Sequence, residues 1–446
     1  MKQLIQVQQM VQDGALDEKL SVLCGGKSEL DAYRARLLHT LEAFGKTFGT
    51  DREIAIFSAP GRTELGGNHT DHQHGHVLAA SVNLDIIAVA SPRSDNIIQV
   101  QSEGYPLDVI SLEELEPIPE TQEPHAAELI RGVAARFGQL GYPLERGFDA
   151  YTTSTVLKGS GLSSSAAFEV LMGNICNAFF AEGKLSPIAL AEIGQFAENV
   201  FYRKPCGQMD QMASSVGGVV AIDFFDPHLP EVRSIAFDFD KTGYALCIVD
   251  TGGSHADLTD EYAAIPAEMG AVAAYFGKSF LSEVPANQVL KSIPELRKAC
   301  GDRAVLRAMH FYREDRRAQG EADALERGDF EAFLRFVQKS GQSSYDLLQN
   351  VYPSSAPQDQ PASIALAVGS AMMGGRGAIR VHGGGFGGTI QAFVPTVLLS
   401  QFQEGMEAVL GAGSCHVLKI RPVGGVTILE LSLIHISEPT RHLRIS

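Results

Sequence analysis

Residues 159–167 read Gly-Ser-Gly-Leu-Ser-Ser-Ser-Ala-Ala. A glycine-rich turn that opens a helix presents backbone N–H groups at the positive end of a dipole, which makes an anion site. Gly159, Ser160, Gly161, Leu162, Ser163, Ser164 and Ser165 are its candidate members. The serine hydroxyls add donors, and one of them can ligate a metal. No lysine follows, so this is not the G-x-x-x-x-G-K-[ST] phosphate loop. A flexible linker or an ordinary helix cap would use the same residue types, and the rest of the chain has to decide.

Residues 59–72 read Ala-Pro-Gly-Arg-Thr-Glu-Leu-Gly-Gly-Asn-His-Thr-Asp-His. The loop is too polar and too long for a simple turn. Arg62, His69 and Asp71 either converge on a polar ligand or contain a buried arginine–aspartate pair. On an extended strand His72, His74 and His76 would share a face, a spacing that can hold a transition metal. Gln73 and Gly75 between them favour a turn, facing solvent or substrate. Asp210 lies among methionines in Cys-Gly-Gln-Met-Asp-Gln-Met-Ala. A carboxylate in such surroundings is costly unless paired. It reads as a catalytic acid/base, a helix cap or a salt-bridge partner. Gly383, Gly385 and Gly388 match G-x-G-x-x-G, but strands flank them on both sides. A dinucleotide-binding turn needs a helix next, so that fold is excluded.

These residues need elements to hold them. Residues 53–58 alternate like a strand, and 77–90 and 151–157 are β-rich. Residues 126–140, 168–180 and 185–201 have helical spacing. Residues 1–49 read as a helical extension, with Leu30, Tyr33, Leu37 and Leu41 on one face. Prolines near 225–234 suggest a change of domain. Helices are expected over 260–276, 294–309, 313–328, 330–348 and 363–373. The glycine turn follows between strands 378–382 and 389–394. A helix over 397–410 and a strand pair over 415–428 complete the chain. Residues 431–441 resemble the conceptual translation of a sequencing adapter. Residues 431–446 are therefore expected to be non-native, with the natural C-terminus missing.

Composition narrows the class. The 446 residues are 45% hydrophobic and 20% charged, which is ordinary for a globular protein. A net charge of −17 argues against nucleic acid and anionic membranes as partners. No apolar run reaches the ~18 residues of a membrane span. The N-terminus has no signal-peptide pattern. Six scattered cysteines without a C-x-x-C pair fit a reducing cytoplasm.

Three motifs, at 60–76, 159–167 and 383–388, stand in the order and spacing of the GHMP small-molecule kinases, and the chain resembles that superfamily. Gly61-Arg62 followed by Gly67-Asn68-His69-Thr70-Asp71 resembles the signature of the galactokinase family. That pattern reads G-R-x-N-x-I-G-E-H-T-D-Y. Here Glu64 replaces the Asn, Gly66 the Ile, Asn68 the Glu and His72 the Tyr. The resemblance implies a two-domain α+β fold with the active site in the interdomain cleft. Its domains would be 51–230 and 231–430. It implies ATP and Mg²⁺ as cofactors, with 159–165 around the phosphates and Ser165 and Glu169 on the metal. Asp210 would face the sugar C1 hydroxyl with Arg62 beside it. Asn68, His69, Asp71 and Tyr262 would bind the sugar. A monomeric, cytoplasmic sugar-1-kinase is the expectation. A related kinase for N-acetylgalactosamine or arabinose, a non-catalytic sugar and ATP sensor, and a metalloenzyme are the alternatives.

Overall fold

The computed structural model describes residues 1–119, 121–157, 159, 161–204, 206–227, 229–253, 258–386 and 388–430. Ser160 and the expected adapter-like tail lie outside the described residues. Among the described residues two sheets organise the chain, one of nine strands and one of four.

The spine of the larger sheet is the antiparallel pair Glu53–Gly66 and His76–Pro92. Successive side chains of a strand point to opposite faces. Ile54 and Ile56 therefore pack, with Ile87 and Val89, under Leu4, Val7, Leu37, Leu41 and Phe44. Those side chains come from the N-terminal helices Leu4–Gln12 and Leu30–Phe48. Phe57 and Ala88 look the other way and join Val133, Phe137, Val170 and Ile175. The latter sit on helices Ala126–Gln139 and Ser164–Phe180. Both faces are covered, which is why residues 54–57 and 86–90 read as unbroken apolar runs. Emptying one fully buried phenylalanine, such as Phe44, would cost about 3–5 kcal/mol.

Strand Phe148–Ser154 pairs with His76–Pro92 and delivers the chain to the 159–163 turn. Helix Ser164–Phe180 then packs on Glu53–Gly66, and so does Met209–Val216. The expected strand, turn and helix around the serine-rich loop are thus present.

The smaller sheet runs Ala378–Val381, Thr389–Pro395, Tyr244–Asp250, Cys415–Leu418, antiparallel throughout. Its first two strands form the hairpin expected around the glycine turn. Helices Pro361–Met373 and Leu399–Leu410 back this sheet through Ala362, Ala365, Phe402 and Met406.

Two expectations change. The helices expected over 294–309 and 313–328 are instead Ile293–Ala299 and one 25-residue helix, Asp302–Glu326. The break falls at Gly301, whose φ of 87° only glycine adopts readily. The strand pair expected over 415–428 separates: Val426–Thr427 returns to the larger sheet beside Phe57 and Ser58. Arg421, between them, is fully buried and anchors that return. Its Nη1 reaches Asp85 at 3.1 Å and the Ser58 hydroxyl at 2.7 Å. A buried guanidinium needs such a partner. Among the described residues no helix is long and apolar enough to cross a membrane.

Candidate active site

Arg62 lies near the end of Glu53–Gly66, where the register with His76–Pro92 shifts. Its backbone N–H donates to the Leu162 carbonyl at 3.0 Å. Its side chain forks onto Asp210, Nε to Oδ1 at 2.6 Å and Nη2 to Oδ2 at 2.7 Å. Nη1 donates to the Gly161 carbonyl. Asp210 Oδ2 also accepts the Ser163 hydroxyl at 2.5 Å. One ion pair therefore ties the signature strand to both the serine-rich turn and helix Met209–Val216. Burial raises the Asp210 pKa, but Arg62 and Ser163 outweigh it and hold the carboxyl below its ordinary value. Asp210 does not cap its helix. Gln208 occupies the cap position, and Asp210 sits in the first turn, where the dipole favours a negative charge.

The turn itself is tight. Gly161 has φ 70°, and a Cβ there would lie 3.0 Å from His382 Nδ1. Ser163 has φ 56°, a left-handed conformation that costs a non-glycine residue of order 1–3 kcal/mol and clusters at functional sites. Ser163 occupies the cap of Ser164–Phe180 without making a side-chain capping bond, because its hydroxyl is turned to Asp210. Among the described residues no side chain therefore caps the N-terminus of that helix.

Behind the turn lies a carboxylate pair. Ser165 Oγ donates to Glu198 Oε1 at 3.0 Å, and Lys204 Nζ reaches the same oxygen at 2.8 Å. Gln211 Nε2 bridges Glu198 Oε2 at 2.8 Å and Glu169 Oε2 at 2.9 Å. Glu169 is fully buried, and its Oε1 has no hydrogen-bond partner among the described residues. Burial, and then the nearby Glu198, push the Glu169 pKa well up. Glu198 and His382 escaped the sequence reading. Glu198 carried one weak signal, an acid in a largely apolar helical stretch that also holds Glu192. His382 carried only its position before the glycine turn. Its Nε2 accepts the Glu64 N–H at 3.3 Å and lies 3.0 Å from the Thr63 hydroxyl.

The signature loop meets the C-terminal glycine turn through that turn's carbonyls. Asn68 Nδ2 donates to Gly383 at 2.7 Å, His69 Nε2 to Gly384 at 3.0 Å, and the Tyr262 hydroxyl to Gly385 at 3.1 Å. Burial lowers the His69 pKa to about 4, so the ring is neutral. Asp71 opens the short turn Asp71–Gln73. A Cβ on Gly207 would lie 2.2 Å from Asp71 Oδ2, so a side chain there would displace the Asp71 carboxylate. Burial raises the Asp71 pKa to about 6, and the charge of Asp210 adds to the rise.

Asn68 is held by the protein on every side. It is fully buried, and its amide also donates to Glu64 Oε1 at 3.1 Å. Its Oδ1 accepts from Asn350 at 2.9 Å and Ser344 at 3.2 Å. Two donors and two acceptor positions are all the amide has. In this structure it is a link within the protein and offers no open contact to a sugar. The histidines do not share a strand face either. His72 lies against His69, His74 is left-handed and stacks on Phe280 with centroids 3.6 Å apart, and His76 lies between Asp315 and Asp223.

Comparison with known proteins bears on this arrangement. The galactokinase galactose-binding signature matches residues 42–92, and the GHMP kinases N terminal domain matches 127–218. The galactokinase of Actinobacillus pleuropneumoniae serotype 5b (strain L20) is 31% identical over 360 residues, 79% of this chain and 88% of its own length. The galactokinase of Streptomyces coelicolor is 31% identical over 381 residues, 85% of this chain and 94% of its own. The chain belongs to the galactokinase family. Lactococcus lactis galactokinase, solved in complex with galactose, has a similar fold, with a TM-score of 0.74 at 23% identity over 88% of this chain and 100% of that one. Methanococcus jannaschii mevalonate kinase shares the GHMP architecture more distantly, with a TM-score of 0.59 at 14% identity over 82% of this chain and 98% of its own. The expected GHMP-like α+β fold is the fold observed. As a member of the family the chain is a sugar kinase that uses ATP.

Proposed function

We propose that the chain transfers the terminal phosphoryl group of ATP to the anomeric hydroxyl of galactose, giving galactose 1-phosphate. The observation that carries this reading is the Arg62–Asp210 pair, bonded on one side to the serine-rich turn through Gly161 and Ser163. Phosphoryl transfer needs positioning and charge neutralisation more than covalent help. The turn and the helix N-terminus behind it supply N–H donors for the phosphates, and Arg62 brings a fixed positive charge beside the acceptor. Asp210 is held anionic, the state that can take the hydroxyl proton. Asp71, His69 and Tyr262 serve the sugar side.

Mg²⁺ fits the residues behind the turn. Ser165, Glu198 and Glu169 offer hard oxygen donors, and Glu169 Oε1 is buried without a partner among the described residues. Glu198 joins the two residues expected from sequence. The ion, when bound, neutralises charge on the phosphates. We read the enzyme as cytoplasmic, supported by its free thiols at Cys24, Cys176, Cys206, Cys247, Cys300 and Cys415. A coupled ADP-release assay over a panel of monosaccharides, with NMR of the product, tests the reading. Galactose phosphorylated at C1 is the expected result. Phosphate at C6, or inert galactose beside a sugar that turns over, overturns it.

A further inference from the structure

Glu64, Asn68 and Arg380 are 3%, 0% and 0% exposed. After Glu64 the strand register shifts, and Gly67 adopts φ 86°, so the chain doubles back. The side chain of residue 68 thereby meets that of residue 64. The Asn68 amide donates to Glu64 and to the Gly383 carbonyl. Arg380 Nη2 pairs with the same Glu64 oxygen, while Nη1 holds the Leu65 carbonyl at 3.0 Å. Gly66 belongs to this layer too, since a Cβ there would lie 1.6 Å from Glu321 Oε2. Three departures from the family pattern, at 64, 66 and 68, therefore sit in one buried charged layer. The acid and the amide have exchanged places along the chain, yet they still face each other.

We propose that Glu64, Asn68 and Arg380 form a positioning unit that fixes the loop carrying His69 and Asp71 against the C-terminal glycine turn, and that the acid at 64 and the amide at 68 are interdependent. Asn68 is bracketed by two acceptors, Glu64 and the Gly383 carbonyl, and only a donor satisfies both. A carboxylate at 68 would set two like charges at hydrogen-bond distance in a buried layer, which is strongly unfavourable. An amide at 64 would restore a donor between the two positions. His69 follows Asn68 directly and keeps its own bond to Gly384. A disturbance at 68 therefore reaches the sugar side first. The phosphate turn has ties of its own, through Arg62, Ser163 and Asp210.

The inference rests on the sugar-kinase reading. Its test uses isosteric changes in the full chain: Asn68→Asp, Glu64→Gln and the two combined. Each single change is expected to raise the galactose KM about tenfold or more, a size typical of side chains in direct contact, with the ATP KM little changed. The double variant is expected to be about tenfold better in kcat/KM than the product of the single losses. Losses that simply multiply, or equal rises in both KM values, would overturn the proposal. If the wild-type chain releases no ADP with galactose, the functional reading fails by itself. The coupling is then read from the thermal midpoints of the same four proteins. A loss in the double variant smaller than the sum of the single losses supports the unit, and an additive loss refutes it.

Discussion

Arg62 meets Asp210 edge to edge, with two nearly equal contacts of 2.6 and 2.7 Å, and Ser163 closes on the same carboxylate. Bidentate pairing of this kind fixes orientation as well as charge. Asp210→Asn should retain ATP binding and lose turnover by about 10²–10⁴-fold, the usual cost of removing a positioned acid/base. Arg62→Lys should also lower kcat more than it raises either KM, because an ammonium offers no planar fork. Steady-state kinetics with a thermal scan checks both. Near-normal turnover by Asp210→Asn would return Asp210 to the role of a structural ion-pair partner.

Asp71 makes a pH prediction. Its folded pKa of about 6 lies above the ordinary 3.8, with burial the main cause. A carboxyl whose pKa is raised on folding favours the folded state when protonated, and loses that benefit as pH rises through the folded value. The charged form therefore costs stability at neutral pH, at most about 3 kcal/mol for a shift of roughly two units. Asp71→Asn should raise the thermal midpoint at pH 8 and leave it nearly unchanged at pH 4, while impairing sugar use. In the wild type the sugar KM should climb as pH falls below about 6, a dependence the variant should lack. A lower midpoint for the variant at pH 8 would mean that the charge is stabilised by something other than substrate.

Much of this site is legible in the residue string, and the missing part has a physical cause. Arg62, Asp71, Asp210 and the serine-rich turn stand out because charged residues and glycines beside apolar strands need a reason. The strand expected over 53–58 and the hairpin around Gly383 follow from strand patterning and turn chemistry. Glu198 was hidden, since its partners Ser165 and Gln211 are 33 and 13 residues away and only the packing of three helices brings them together. The bonding of Asn68 is hidden for the same reason. Its partners Asn350 and Gly383 lie 282 and 315 residues along the chain, so its saturation leaves no local trace. The return of Val426–Thr427 to the first sheet was likewise set by a long-range buried contact, Arg421 with Asp85.

If Mg²⁺ is held as proposed, the two carboxylates behind the turn would contribute unequally. Glu198 contacts the Ser165 hydroxyl directly, whereas Glu169 reaches Glu198 only through Gln211. Glu198→Gln and Ser165→Ala should each raise the Mg²⁺ concentration needed for half-maximal rate, because an ion with strict octahedral demands tolerates few lost oxygens. Glu169→Gln should have a smaller effect on that concentration. It should also raise the thermal midpoint, since burial and Glu198 already disfavour its charge. Magnesium titrations of initial rate decide the order. Glu169→Gln proving the more damaging of the two would exchange the assignments.

His76 supplies a stability prediction away from the chemistry. Its Nδ1 lies 2.8 Å from Asp315 Oδ1 and its Nε2 3.3 Å from Asp223 Oδ2, so one ring joins helix Asp302–Glu326 to strand Val219–Asp223. Burial alone would lower its pKa, but the two carboxylates outweigh burial and lift it to about 9. The folded state therefore binds the proton more tightly than the unfolded chain, whose histidine titrates near 6.5. The resulting stabilisation is fully present below pH 6.5 and is lost as pH rises through about 9. The ring is nearly one-third exposed, so solvent screening trims the gain, and about 1–2 kcal/mol is a fair expectation. His76→Gln keeps a hydrogen bond but no charge. It should lower the thermal midpoint at pH 6, and the gap from wild type should narrow steadily between pH 7 and 10. A gap that stays constant across that range would show that His76 contributes packing and neutral hydrogen bonds, with no part played by its charge.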